Sequence, residues 1–159
     1  MTGVREKIRE LMLRIKIICV GRLKEQFYTD AANEYIKRLG GCCKLEILEL
    51  PEFRELEKER EAIRKGIPAG AMTIAMCIEG REVDSKGLSE LLMECAGRGT
   101  SHLCFIIGGS NGLHDDIKSG ADLRLSMSKM TFPHNLARVI LLEQLYRAFT
   151  IIEGGKYHK

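Results

Sequence analysis

Two stretches of this chain are apolar almost without interruption: Ala71–Ile78, broken only by Thr73, and Leu103–Ile107. Gly70 and Gly80 bracket the first, and Gly108-Gly109 closes the second. A strand with one wet face alternates polar and apolar residues. A run without alternation has both faces covered, as in a central strand of a parallel sheet with helices on either side. At eight residues the longer run is far too short to span a bilayer. These two runs therefore predict a buried parallel core, with a crossover helix at 86–96 between them.

The flanking segments supply the rest of such a sheet. Ile15–Val20 is β-branched and closed by Gly21, and Lys44–Leu50 alternates and ends at Pro51, so both read as strands. Leu123–Met127 makes a brief fifth strand. Lys24–Leu39 has helical spacing, with Phe27, Ala31 and Tyr35 on one stripe and Gly40 as its cap. Residues 52–65 read as a charge-dense solvated helix, 113–119 as a short helix, and Pro133 to Ile152 as the last one. Residues 4–11 place Val4, Ile8 and Leu11 on one side of a helix that precedes the domain proper. The expectation is an α/β domain over 13–159, an open, mostly parallel sheet of five to six strands with helices on both faces, carrying a helical extension over 1–12. No repeat or linker divides the 159 residues.

Apolar residues at 45% and charged residues at 30% describe an ordinary globular chain. The opening residues alternate charge with apolar side chains and carry no signal-peptide core, so the expected location is cytoplasmic, with no membrane partner. Six cysteines at 19, 42, 43, 77, 95 and 104 form no C-x2-C or C-x4-C pair, and no histidine stands at finger spacing. No metal is expected. Net charge is only +3, yet from Leu123 onward six basic residues face two acidic ones. That local excess suits a polyanionic partner.

Ligands of open α/β sheets bind at the carboxyl ends of the strands. Here those ends are Glu79-Gly80, Gly108-Gly109 and Ser126 to Thr131, three loops that can converge on one site. Gly108-Gly109-Ser110-Asn111-Gly112 fits neither G-x-G-x-x-G nor the phosphate-loop template, but its glycines permit close backbone approach. His114-Asp115-Asp116 reads as a helix start rather than a ligand set, because adjacent helical residues point apart. Ser126 to Thr131 places two serines, a threonine and Lys129 between apolar anchors, a polar rim beside the glycine loop. The last helix is apolar nearly all round, which predicts a subunit interface for want of cover within one chain. Glu143 and Arg147 form an i,i+4 pair on it. The chain closes on Gly154-Gly155-Lys156-Tyr157-His158-Lys159, either a frayed end or a hook for stacking and phosphate binding.

At these residues the sequence resembles a known family. FIIGGSNGL (105–113), LSMSKMTFPHNLARVILLEQLYRAF (125–149) and the terminal YHK (157–159) are similar to the ribosomal large-subunit methyltransferase H family of the SPOUT superfamily. KIICVGRLKEQF (16–27) resembles its opening strand and helix. The resemblance implies a C-terminal trefoil knot, a homodimer, and S-adenosylmethionine as cofactor held by Met76, Gly108, Met127, Ser128, Lys129, Met130, Thr131 and Phe132. It implies methylation of N3 of a pseudouridine in helix 69 of 23S rRNA on assembled ribosomes. Lys129, Arg147, Tyr157, His158 and Lys159 are then the RNA contacts, with Arg147, Tyr157 and His158 at the reacting base and Glu143 orienting Arg147. Family members often have Leu at 76 and Asp at 77, where this chain has Met76 and Cys77. The alternative from another class is a non-catalytic RNA- or ribosome-binding module that retains the fold.

Overall fold

The computed structural model describes residues 2–159; the side chains of Thr2, Lys7 and Leu11 lie outside that description, so the expected place of Leu11 on the first helix face does too. Eleven elements follow in order: α1 Thr2–Leu11, β1 Arg14–Val20, α2 Gln26–Leu39, β2 Lys44–Leu50, α3 Leu56–Gly66, β3 Met72–Glu82, α4 Ser85–Gly97, β4 His102–Ile107, α5 Asp115–Gly120, β5 Leu123–Ser126 and α6 His134–Glu153. All five strands are parallel, in the order β2-β1-β4-β3-β5. The two apolar runs became β4 at the centre and β3 beside it, as double burial requires.

Side chains alternate across the sheet. Leu103, Phe105 and Ile107 of β4 face the larger core with Ile15 and Ile17 of β1. This core also takes Leu88, Leu92 and Ala96 of α4, Leu39 of α2 and Leu141, Leu142, Leu145 and Phe149 of α6. Cys104 and Ile106 face the other way, against Ile63 of α3 and Ile117 of α5. Helices α2, α4 and α6 thus cover one face, and α3 and α5 the other. Helix α1 packs against α4 and buries Ile8. Among the described residues no helix is long and apolar enough to cross a membrane. The cysteines are all free thiols, and burial pushes Cys19 and Cys43 up to about 12.

Four expectations change. Helix α3 begins at Leu56 rather than 52, because Pro51 and an extended Glu55 (φ −106°, ψ 125°) keep 52–55 outside it. Nor is α3 wholly solvated: Glu59 and Ile63 are buried. On α2, Phe27 is 65% exposed and the buried side runs instead through Ala32 and Leu39, with Tyr35 and Ile36 partly covered. Finally, α6 finds much of its cover within its own chain, since α2, α4 and the sheet surround it and no side chain from His134 to Ile152 is fully exposed. A half-covered stripe does remain on α6, running Leu136, Val139, Ile140, Glu143, Tyr146, Arg147, Thr150 and Ile151.

One irregularity shapes the carboxyl edge. Strand β3 pairs with β5 up to Met76↔Leu125, then resumes at Arg81↔Leu125, so residues 77–80 loop out between two pairings of the same Leu125. A Cβ at Gly80 would stand 2.7 Å from the Leu125 amide nitrogen and 2.8 Å from the Arg124 carbonyl carbon. Only a residue without a side chain permits this approach.

Candidate active site

The looped-out residues 77–80 open a cavity of about 750 Å³ at the carboxyl ends of β3, β4 and β5. That is within the usual range for a small-molecule site. From β3 it takes Met76, Cys77, Ile78 and Glu79, and from the turn after β4 it takes Gly108 to Ser110 and Gly112. The segment between β5 and α6 supplies Met127, Ser128, Met130, Thr131 and Phe132, and α6 adds His134 and Ala137. Three separate segments thus meet here, as the strand-end argument requires.

The loop 126–130 is tied by its own hydroxyls. Ser126 Oγ donates to the Ser128 carbonyl at 2.8 Å, and Ser128 Oγ accepts from the Met130 amide at 3.0 Å. Gly108 lies against the turn that follows it: a Cβ there would be 2.8 Å from the Gly112 carbonyl carbon. Beyond Phe132 and Met127 a smaller cavity of about 330 Å³ shares Met76 and reaches Ser85 and Gln144, whose side chains hydrogen-bond at 2.6 Å.

The charges of the cavity wall restrict its ligand. Lys118 Nζ is 2.7 Å from Glu79 Oε1, and that hydrogen bond holds the Glu79 carboxyl below its ordinary range. The only lysine on the wall is thus neutralised, which suits a nucleoside without phosphates. Apolar Met76, Ile107, Leu125 and Met127 offer flat contacts for a base, while Ser110, Thr131 and glycine peptide groups supply hydrogen bonds. Cys77 stands in the wall as a neutral thiol, pushed up chiefly by burial.

Of the eight residues expected to hold cofactor, seven line this cavity; Lys129 is exposed and is not on the wall. The residues expected to hold RNA gather elsewhere. Arg147 Nη2 is 2.6 Å from Glu143 Oε1, and that hydrogen bond is the main reason the guanidinium is held more firmly charged. Tyr157 donates to the same Glu143 oxygen at 3.1 Å, lies 4.7 Å beneath the Arg147 guanidinium and meets Tyr146 edge-on at 4.9 Å. Burial first, then hydrogen bonds with Tyr35 and Glu143, push the Tyr157 phenol up to about 12. Arg147 Nη1 is 3.2 Å from His158 Nδ1, which accepts because arginine only donates. Lys159 is exposed.

This second cluster includes residues that the sequence reading did not single out. Tyr35 and Arg38 reach it from α2, with the Arg38 guanidinium 5.4 Å from the Tyr35 ring and 5.6 Å from the Tyr146 ring. The i,i+3 spacing on α2 was visible, but its meeting with Tyr146 is a tertiary contact. His134 and Glu52 were also passed over, although His134 stands in the wall itself. Thr131 does not cap α6; Pro133 occupies that position without a side-chain bond. Among the described residues no cluster of histidine, cysteine and carboxylate could hold a metal.

Comparison with known proteins identifies the family and the fold. A family model described as "Predicted SPOUT methyltransferase" matches residues 13–158, leaving α1 outside the match. The protein named ribosomal RNA large subunit methyltransferase H of Caldicellulosiruptor saccharolyticus is 46% identical over 91% of this chain and 99% of its own length. Its namesake from Clostridioides difficile is 45% identical over 92% of this chain and all of its own. A crystal structure of a probable methyltransferase from Bordetella pertussis shares the fold, with a TM-score of 0.60 at 11% identity over 94% of this chain and 99% of that one. S-adenosylmethionine, the methyl donor of SPOUT methyltransferases, is a nucleoside without phosphates, which suits this wall. The chain belongs to the ribosomal RNA large subunit methyltransferase H family of SPOUT methyltransferases.

Proposed function

We propose that this protein methylates N3 of a pseudouridine in helix 69 of 23S rRNA on assembled ribosomes, in the cytoplasm, as a homodimer with a trefoil knot. The observation that carries the reading is the cavity: seven of the eight residues that the family resemblance assigns to S-adenosylmethionine line one wall system with no free cation. When bound, the cofactor supplies a sulfonium methyl that is already strongly electrophilic, so placement of the target base is the main task left to the protein.

The chain's own residues divide that task. Met76 and Met127 cover a base-sized surface, the Gly108 turn brings peptide groups close, and Phe132 and Ile107 exclude water. The RNA contacts fall to Arg147, Tyr157, His158 and Lys159, with Lys129 exposed at the rim. Arg147 lies 13 residues beyond His134 on α6, about 20 Å along the helix axis. A tail docked on Glu143 and Arg147 is therefore about 20 Å along the helix from the His134 wall of its own chain's cavity. In a dimer formed through the half-covered stripe of α6, the same tail serves the neighbour's cavity. Arg147 and Lys159 then engage phosphate, and Tyr157 stacks on the target or a flanking base.

The test is incubation of the protein with labelled S-adenosylmethionine and ribosomes, followed by digestion and mass analysis of the modified nucleoside. The reading predicts one methyl group on a pseudouridine nitrogen of the large-subunit RNA. Tight cofactor binding with label found on another nucleotide would overturn the substrate. Ribosome binding without any transfer would favour the non-catalytic module.

A further inference from the structure

We propose that His134, oriented by Glu52, accepts the proton that the target nitrogen loses when it is methylated. This rests on the reading above that the substrate is an N–H nitrogen. A neutral N–H must shed its proton as the N–C bond forms and the carbon–sulfur bond of the donor breaks, and the cavity needs a group to receive it. Four titratable side chains line the wall: Cys77, Glu79, Lys118 and His134. Glu79 and Lys118 are locked together at 2.7 Å, and Cys77 is a half-buried thiol whose pKa is raised chiefly by desolvation. His134 alone combines a place in the wall with an imidazole that offers a lone-pair nitrogen and has a carboxylate facing its other nitrogen.

Its surroundings are built around the imidazole. Gly21, at φ +95°, brings bare backbone against the ring: a Cβ there would stand 3.2 Å from His134 Nε2 and 3.5 Å from Glu52 Oε1. Glu52 Oε1 lies 3.7 Å from Nε2, in electrostatic contact and longer than a hydrogen bond, a spacing common in catalytic pairs before substrate arrives. In the tautomer that places Nε2–H toward that carboxylate, Nδ1 carries the lone pair. The other charges nearby do not compete. Arg138, one turn further along α6, is buried and donates to Glu49 and, at 2.7 Å, to the Gly21 carbonyl. Glu59 of α3 is buried close to Glu52 and raised chiefly by that burial. Glu52 faces the ring and compensates the imidazolium charge once the proton has been taken up. The proton thus passes from nitrogen to Nδ1 and on to solvent, and the donor leaves as a neutral sulfide.

The experiment measures single-turnover methyl transfer to ribosomes between pH 6 and 9 for the wild type, His134→Gln and Glu52→Gln, with S-adenosylhomocysteine affinity measured on the same preparations. His134→Gln should slow transfer about 10²- to 10⁴-fold at pH 7 while affinity stays within about threefold. The deficit should shrink toward pH 9, where hydroxide removes the proton. Glu52→Gln should slow transfer about tenfold, because the imidazolium formed in the reaction then lacks a facing carboxylate. An active wild type with an equally active His134→Gln overturns the assignment alone, as does a deficit that ignores pH or a loss of cofactor affinity. A wild type that binds S-adenosylhomocysteine and transfers nothing to an N–H nitrogen overturns the underlying reading and this assignment with it.

Discussion

Replacing Gly108 by alanine tests whether the cavity is held by backbone contact. The new Cβ would meet the Gly112 carbonyl carbon at 2.8 Å and the Gly112 oxygen and Leu113 nitrogen at 3.0 Å. Carbon atoms settle at about 3.5 Å or more, so the turn must retreat by about 0.7 Å. No side-chain rotation relieves the clash, because every atom struck is main chain. The same turn is closed by the Gly112 amide donating to the Gly109 carbonyl at 3.1 Å, so it moves as a unit. Sites tolerate about 0.5 Å of displacement, and 1 Å can cost a hundredfold. S-adenosylhomocysteine should therefore bind ten- to a hundredfold more weakly, about 1.4 to 2.8 kcal/mol by titration calorimetry. Gly108 is buried but Ser110 to Gly112 are exposed, so the turn can yield outward and stability should fall by about 1 kcal/mol, or roughly 2–4 °C in Tm. Affinity within threefold of wild type would refute the placement of cofactor against Gly108.

Leu142 is fully buried in its own chain, so Leu142→Glu should unfold the subunit, seen as lost helical circular dichroism or insolubility. Leu136→Glu, on the half-covered stripe, should instead leave a folded subunit that light scattering reports as monomeric. Ile8→Ala removes a side chain that is 3% exposed and should cost about 2 kcal/mol, a fall in Tm of about 4–8 °C, if α1 belongs to the fold. The phenol of Tyr157 is raised to about 12 from an ordinary 10, so the docked tail holds a proton that a free tail has lost between those values. Docking should be complete below about pH 10 and released as pH rises toward 12, followed by tyrosinate absorbance against a Tyr157→Phe control.

The sheet was legible because double burial leaves an unalternated run, and both such runs became β3 and β4. Local signals also located α4, β1 and β2 closely. The extension of β3 to Glu82 was not legible: Gly80 and the charged residues after it look like a turn, and only the second pairing with Leu125 makes them strand. The burial of Glu59 was equally hidden, since nothing within α3 separates it from the surrounding charges that stay in water. For the site, the three strand ends converged as sequence position implies, whereas Lys129 shares their segment but is exposed and not part of the cavity wall. Tyr35 and Arg38 meet Tyr146 and Tyr157 through contacts that join residues more than a hundred positions apart. Glu52 and His134 likewise come together only through the fold.

The central claim is that one working site needs the cavity of one chain and the tail of another. Subunit mixing tests it directly. A Gly108→Val chain keeps its tail but loses the cofactor site, and a chain ending at Lys156 keeps its cavity but lacks Tyr157 to Lys159. Each alone should transfer almost no methyl to ribosomes. Co-refolded in equal amounts, half of the dimers are mixed and each carries one complete site, so about a quarter of the wild-type rate should return. No recovery in purified mixed dimers, or full activity of the truncated chain alone, would contradict the account.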